Sequence, residues 1–183
     1  FLISPDGNVV AFSYEPKGKS PAQFSVKEGL LRKESFPSDL KLSSPLTAAK
    51  GLDITGWNGT STPKLNGTPL KLMPTETSLS LAITPDKEGF LLGTSSSRLL
   101  HFDGKGTLKW QINMPTLPWA LNISGDGRVA TAALRDGTIR WYRMKDGKEL
   151  LALFLHNDKN RWVSWTPSGY YNASPGAEEI IGW

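Results

Sequence analysis

The chain has 183 residues, a formal net charge of +4, 38% hydrophobic residues, eighteen Gly, thirteen Pro and no Cys, with a mean hydropathy of -0.30. That composition is ordinary for a soluble globular chain. It excludes disulfides, thiolate metal sites and cysteine nucleophiles, and no apolar run reaches the ~18 residues of a membrane span. The 21 Lys and Arg are spread along the sequence, so the pI near 9.3 reads as a mildly basic solvated surface without the clustered blocks of a nucleic-acid binder.

In chain order, Leu2-Ile3-Ser4-Pro5-Asp6-Gly7 opens a pattern: alternating apolar residues, then Ser or Thr, then a turn. It returns weakly as Leu42-Ser43-Ser44-Pro45 and clearly as Leu81-Ala82-Ile83-Thr84-Pro85-Asp86. Two later copies are Leu121-Asn122-Ile123-Ser124-Gly125-Asp126-Gly127 and Val163-Ser164-Trp165-Thr166-Pro167-Ser168-Gly169. The residue after the hydroxyl falls at 5, 45, 85, 125 and 167, giving steps of 40, 40, 40 and 42. A second ladder runs in phase: Gly29, Gly67, Gly106 and Gly147, at steps of 38, 39 and 41. Asp-Gly, Asn-Gly and Pro-Asp pairs supply the backbone angles of tight hairpins.

Between the turns lie short β-prone runs such as Val9–Phe12, Phe90–Thr94 and Val129–Ala133. They are too short for helices. The fourth repeat predicts four strands, at 120–123, 129–133, 138–143 and 149–154. Four antiparallel strands every ~40 to 45 residues are the mark of a propeller blade. The expected fold is all-β: a β-propeller of about four to five four-stranded blades forming part of a larger ring. The units are 1–38, 39–78, 79–118, 119–160 and a partial 161–183. The second is irregular, and Lys50 to Lys64 reads as a loop or insertion. Phe1 at one end and the apolar Ile180-Ile181-Gly182-Trp183 at the other read as cuts from a longer protein. Further blades and any targeting signal are expected outside them, and the compartment stays open.

Asp136-Gly137-Thr138-Ile139-Arg140-Trp141-Tyr142-Arg143-Met144-Lys145-Asp146-Gly147 resembles the end of a WD-repeat blade, with Tyr142-Arg143 where that pattern has Trp-Asp. No unit carries the Trp-Asp or Gly-His pair. Arg161 to Gly176, followed by Glu179 to Trp183, is similar to a segment of bacterial WD-repeat proteins, as are 51–67 and 119–150. Several of these join a propeller to a caspase-like peptidase domain. The resemblance implies a propeller that docks or regulates a separate catalytic domain.

His101 and His156 are the only histidines, and neither has metal-ligand spacing. His101 reads as a blade-face or core residue. The Gly-rich 124–127 and 103–106 recur as hairpin turns and lack the Gly-Lys-Ser/Thr ending of a phosphate loop. Asn58-Gly59-Thr60 and Asn66-Gly67-Thr68 match a glycosylation sequon but read as turns. Trp110, Trp141, Trp165 and Phe102 lie in strand-like runs and are expected between blades.

The chain is therefore expected to be no enzyme and to carry no cofactor. It reads as an interaction or scaffold module for a protein or peptide partner. By analogy with WD-repeat propellers, Lys17, Arg98 and Arg135 fall in loops from second to third strand, Trp119 in a link between blades and Trp57 in the irregular loop. Together they predict a basic, aromatic-dotted binding face, with Trp57, Arg98, Trp119 and Arg135 as its contacts. The competing expectation is a propeller enzyme or cofactor-binding propeller of the quinoprotein kind, from the run Asp103 to Trp110.

Overall fold

The structure, a computed structural model, describes residues 1–15, 18–33 and 40–180. Lys17 and the terminal Ile181-Gly182-Trp183 lie outside the described residues. Among the described residues, four antiparallel sheets account for nearly all the regular structure. The first is a meander of β1 (Leu2–Ile3), β2 (Val9–Ser13), β3 (Pro21–Ser25) and β4 (Leu30–Lys33). The second is a small sheet of β5 (Ile54–Thr55), β6 (Lys64–Leu65) and β7 (Thr68–Pro69). The third comprises β8 (Ser78–Ile83), β9 (Gly89–Thr94), β10 (Arg98–Asp103) and β11 (Leu108–Asn113). The fourth holds β12 (Pro118–Ile123), β13 (Val129–Leu134), β14 (Thr138–Arg143), β15 (Glu149–Leu155), β16 (Trp162–Trp165) and β17 (Tyr171–Ala173). A 3-10 turn, Glu178–Ile180, follows.

The sheets stack face to face like vanes, and three apolar clusters fill the joints. Leu52, Ile54, Leu65 and Leu70 of the second sheet and its flanks pack on Leu81, Phe90, Leu92 and Leu100 of the third. Ala82, Leu91 and Leu99 on the other face of the third sheet meet Leu121, Ala130, Ala132 and Tyr142 of the fourth. The far face of the fourth, through Ile139, Trp141, Leu153 and Trp162, meets Ile3, Val10 and Phe24 of the first. The order around the fan is second, third, fourth, first. This is a propeller-like arrangement whose sheets do not close into a ring among the described residues.

First strands lie at the centre. Ile3 of β1 exchanges backbone hydrogen bonds with Ser43, at 3.1 and 2.9 Å, and the Ile83 amide at the end of β8 donates to the Leu46 carbonyl at 2.7 Å. Asn122 of β12 donates through Nδ2 to the carbonyl of Ser43 at 3.0 Å. Residues 43–46 thus strap the inner strands together. The weak repeat at Ser44-Pro45 makes this strap instead of a hairpin, because neither a Gly nor an Asp follows to build the turn.

The strong repeats share one turn. Ser4, Thr84 and Ser124 each donate a hydroxyl hydrogen bond to the Asp two residues on, at 2.6, 2.5 and 2.6 Å. Each hydroxyl also accepts from the amide five residues on, of Val9, Gly89 or Val129, at 2.9, 3.0 and 3.0 Å. The amides of Asn8, Glu88 and Arg128 complete the set by donating to Asp6, Asp86 and Asp126. The Asn8 amide group and the Ser4 hydroxyl pull the Asp6 pKa down to about 2. In the last copy Ser168 stands for Asp and its hydroxyl lies 2.9 Å from that of Thr166.

Of residues 161–183, expected to open a fifth unit, the two strands among the described residues instead extend the fourth sheet: β16 pairs with β15 and β17 with β16. The strands themselves explain the difference. In β11 apolar Leu108, Trp110 and Ile112 alternate with Lys109, Gln111 and Asn113, which suits an outer strand with one wet face. In β15 the run Leu150-Leu151-Ala152-Leu153-Phe154-Leu155 is apolar on both faces and needs a further strand beside it.

Indole N–H groups cross two joints. Trp110 Nε1 donates to the Met144 carbonyl at 2.8 Å, tying the third sheet to the fourth, and Trp141 Nε1 donates to the Gly7 carbonyl at 2.9 Å, tying the fourth to the first. Phe102, Trp110 and Trp141 pack in the clusters between sheets, as the interblade reading expects, whereas Trp165 is half-buried with the Arg140 guanidinium of its own sheet 5.6 Å over its ring. Gly93 sets the closest approach: a Cβ there would stand 2.6 Å from the Pro118 ring and collide with the Ser80 hydroxyl. Gly93→Ala is expected to lower stability by about 1–3 kcal/mol through overpacking, read as a fall in the urea midpoint with an unchanged slope.

Candidate functional site

One side of the fan carries the turns at 95–97 and 135–137 and the link 114–117; the opposite side carries the turns at 84–88, 104–107, 124–128 and 144–148. The first will be called the upper side.

The upper side is shaped by a repeated bulge. Pro118 pairs with Leu134 and Ala120 with Ala133, leaving Trp119 as the extra residue at the start of β12. Forty positions earlier Ser78 pairs with Thr94 and Ser80 with Gly93, leaving Leu79 extra at the start of β8. A bulge adds one residue, breaks the ladder locally and re-aims a side chain. The Ser80 hydroxyl donates to the Pro118 carbonyl at 2.9 Å, which brings the two bulges together. The side chain of Trp119 is mostly solvent-exposed, at 58%.

Arg135 sits in the turn between β13 and β14, and its amide donates to the Leu117 carbonyl at 2.9 Å. The backbone therefore holds it beside the entry to β12. Its side chain is exposed and forms no ion pair with a described residue. Met73, also on this side through the loop 70–77, is 51% exposed.

Arg98 has a different place from the one expected. It begins β10, is only 8% exposed, and is turned inward by Glu76, which is 1% exposed. Arg98 Nε donates to Glu76 Oε1 at 2.9 Å, Nη2 donates to Oε2, and Nη1 donates to Gln111 Oε1 at 2.6 Å. Thr94 Oγ1 and the Met73 amide also donate to the same carboxylate. The guanidinium is a clamp that fastens the loop 70–77 to the third sheet, so it offers little to a partner. Nothing local in the sequence marks Glu76, which stands 22 positions before Arg98. Trp57 is likewise half-buried, packed against the cluster between the second and third sheets. Of the four expected contacts, the structure sets Trp119 and Arg135 on the same side of the fan, with the Arg135 backbone bonded beside the start of β12, and leaves Trp57 and Arg98 in packing roles.

His101 lies in β10, half-buried against Trp110 with ring centroids 5.1 Å apart, and burial lowers its pKa. His156 Nδ1 stands 3.1 Å from Asp158 Oδ2 in a turn. Among the described residues no three His, Asp or Glu side chains converge as a metal site.

These sheets define an all-β, propeller-like protein. No family model matches the chain, and no curated protein matches it. Among solved structures it is similar to BamB from Moraxella catarrhalis, at 15% sequence identity and a TM-score of 0.44 over 72% of this chain and 47% of that one. The chain thus spans about half the length of that structure.

Burial alone would raise the Glu76 pKa, but hydrogen bonds from Arg98 and Thr94 outweigh it and hold the pKa below the ordinary 4.5. With a folded value depressed in this way, the carboxylate's contribution is complete above the unfolded pKa and is lost as pH falls through the folded one. Glu76→Gln leaves the guanidinium buried without its counter-charge and is expected to cost about 3–5 kcal/mol. Urea midpoints at neutral and acid pH check both points: the gap between wild type and variant should narrow in acid.

Proposed function

We propose that the chain is a non-catalytic interaction module whose upper side binds an extended segment of a protein partner. Trp119 is the apolar anchor in this reading, and Arg135 faces acidic groups of the bound segment. The observation that carries it is the exposure of Trp119 on a bulge. Leaving a tryptophan in water forgoes the ~1.5–3 kcal/mol that burying a large apolar side chain yields, and bulges re-aim side chains at functional positions. Tryptophan and arginine are also the residues most enriched where a few side chains carry most of the binding energy. The net charge of +4 adds a general attraction for acidic partners.

In its finer form, the proposal makes this module the docking or regulatory part of a larger bacterial protein of WD-repeat type, with catalysis in a separate, caspase-like domain. The likeness of Arg161 to Gly176 to such proteins supports this.

Panning a random peptide library on the immobilised protein tests the proposal. Enriched peptides should bind the Trp119→Ala, Arg135→Ala double variant about 30-fold or more weakly, the loss of 2 kcal/mol or more expected at an anchor position. The variant's unfolding midpoint should be unchanged, since both side chains are exposed. A library that yields no enriched peptide, or peptides that bind wild type and variant alike, would overturn it.

A further inference from the structure

The lower side carries a cleft of about 650 Å³ between the third and fourth sheets. It is unrelated to Trp119 and Arg135. Its two walls are opposite in sign. The third sheet and its turns present Asp86, Glu88 and Asp103, while the turns of the fourth present Arg128, Arg143 and Lys145. One cation, Lys109, shares the acidic wall and interacts with Asp103.

No ion pair among the described residues joins the walls. Arg143 pairs with Asp146 of its own turn at 2.5 Å, and Arg128 comes only to 4.0 Å of Asp126 on its own sheet. Both acidic turns are set in the ionised state. The Thr84 hydroxyl and Glu88 amide lower the Asp86 pKa, and the Thr107 and Lys105 amides lower that of Asp103. The walls are not paired with one another, and Asp86, Glu88 and Lys145, exposed and in no ion pair with a described residue, are left to solvent. A molecule with a cation at one end and an anion at the other can satisfy the two together. The volume lies within the ~300–1,000 Å³ of ligand clefts and is large enough for several residues of peptide.

We propose that this cleft is a second binding site, for a short peptide segment bearing both a basic and an acidic side chain. The basic group lies against Asp86, Glu88 and Asp103, and the acidic group against Arg128, Arg143 and Lys145. Such a site selects for one charge of each sign, because a segment with two like charges meets repulsion at one wall.

Two-dimensional amide NMR of the labelled protein at low salt tests this, with three blocked peptides: Ac-Lys-Ala-Ala-Glu-NH2, Ac-Lys-Ala-Ala-Lys-NH2 and Ac-Glu-Ala-Ala-Glu-NH2. The Lys/Glu peptide should shift the amides of residues 86–89, 127–128 and 143–145 and bind about tenfold tighter than either control, a difference of one decade in Kd. Arg128→Glu with Lys145→Glu should reverse the preference, making the Lys/Lys peptide the better ligand. Both side chains are exposed, so the fold should hold. Trp119→Ala should leave all three titrations unchanged, which separates this site from the upper side. Equal binding of the three peptides, no reversal in the charge-swapped variant, or shifts centred on the start of β12 would overturn the proposal.

Discussion

A sheet of four short strands has two faces and cannot keep both in water. Nearly everything in this structure follows from that constraint. The third sheet is apolar on both sides: β9 is buried at every position, with Phe90 and Leu92 directed to the second sheet and Leu91 to the fourth. Each buried Leu, Ile or Phe contributes about 1.5–3 kcal/mol, so a sheet stripped of a neighbour loses several such terms at once. The stacking explains the small residues at the joints, Ala82, Ala130 and Ala132 among them, and the absence of a Cβ at residue 93. It also explains why the poorly formed second sheet is still ordered, since Leu52, Ile54, Leu65 and Leu70 have a complete apolar wall to lie on.

What could be read from the sequence was what repeats locally. The hydroxyl at 4, 84 and 124 does one job in each sheet, so its period announced the hairpins. The four strands of residues 119–160 were legible for the same reason, with Pro118, Trp119, Leu134 and Leu155 the only additions at their ends. The strap at 43–46 was not legible, because its bonds go to strands 40 residues away on either side. Nor was the pairing of β16 with β15, which depends on how apolar an outer strand is rather than on any turn signal.

The site shows the same division. Arg135 was placed correctly in a turn, since turn chemistry is local. Arg98 stands at the equivalent end of its sheet, yet its fate is decided by Glu76, on a segment with no periodic mark. The exposure of Trp119 depends on a bulge, and a bulge leaves no trace in the residues themselves. Its counterpart at Leu79 becomes visible only once the 40-residue period is laid over the strand register. The two sides of the fan thus differ in kind: a bulge-borne aromatic on one, and charged turns around a cleft on the other.

The hairpin of β16 and β17 has a consequence for the state of the chain in solution. Leu150 to Leu155 is a six-residue stretch with no charge, no proline and no glycine, the composition that stacks readily into fibrils when uncovered. Trp162 to Trp165 pairs with its Ala152–Leu155 portion as an internal gatekeeper. Fraying of that hairpin, which would also withdraw Trp162 from the joint with the first sheet, would offer neighbouring molecules a template, so the four residue pairs that join β16 to β15 also guard this protein against aggregation.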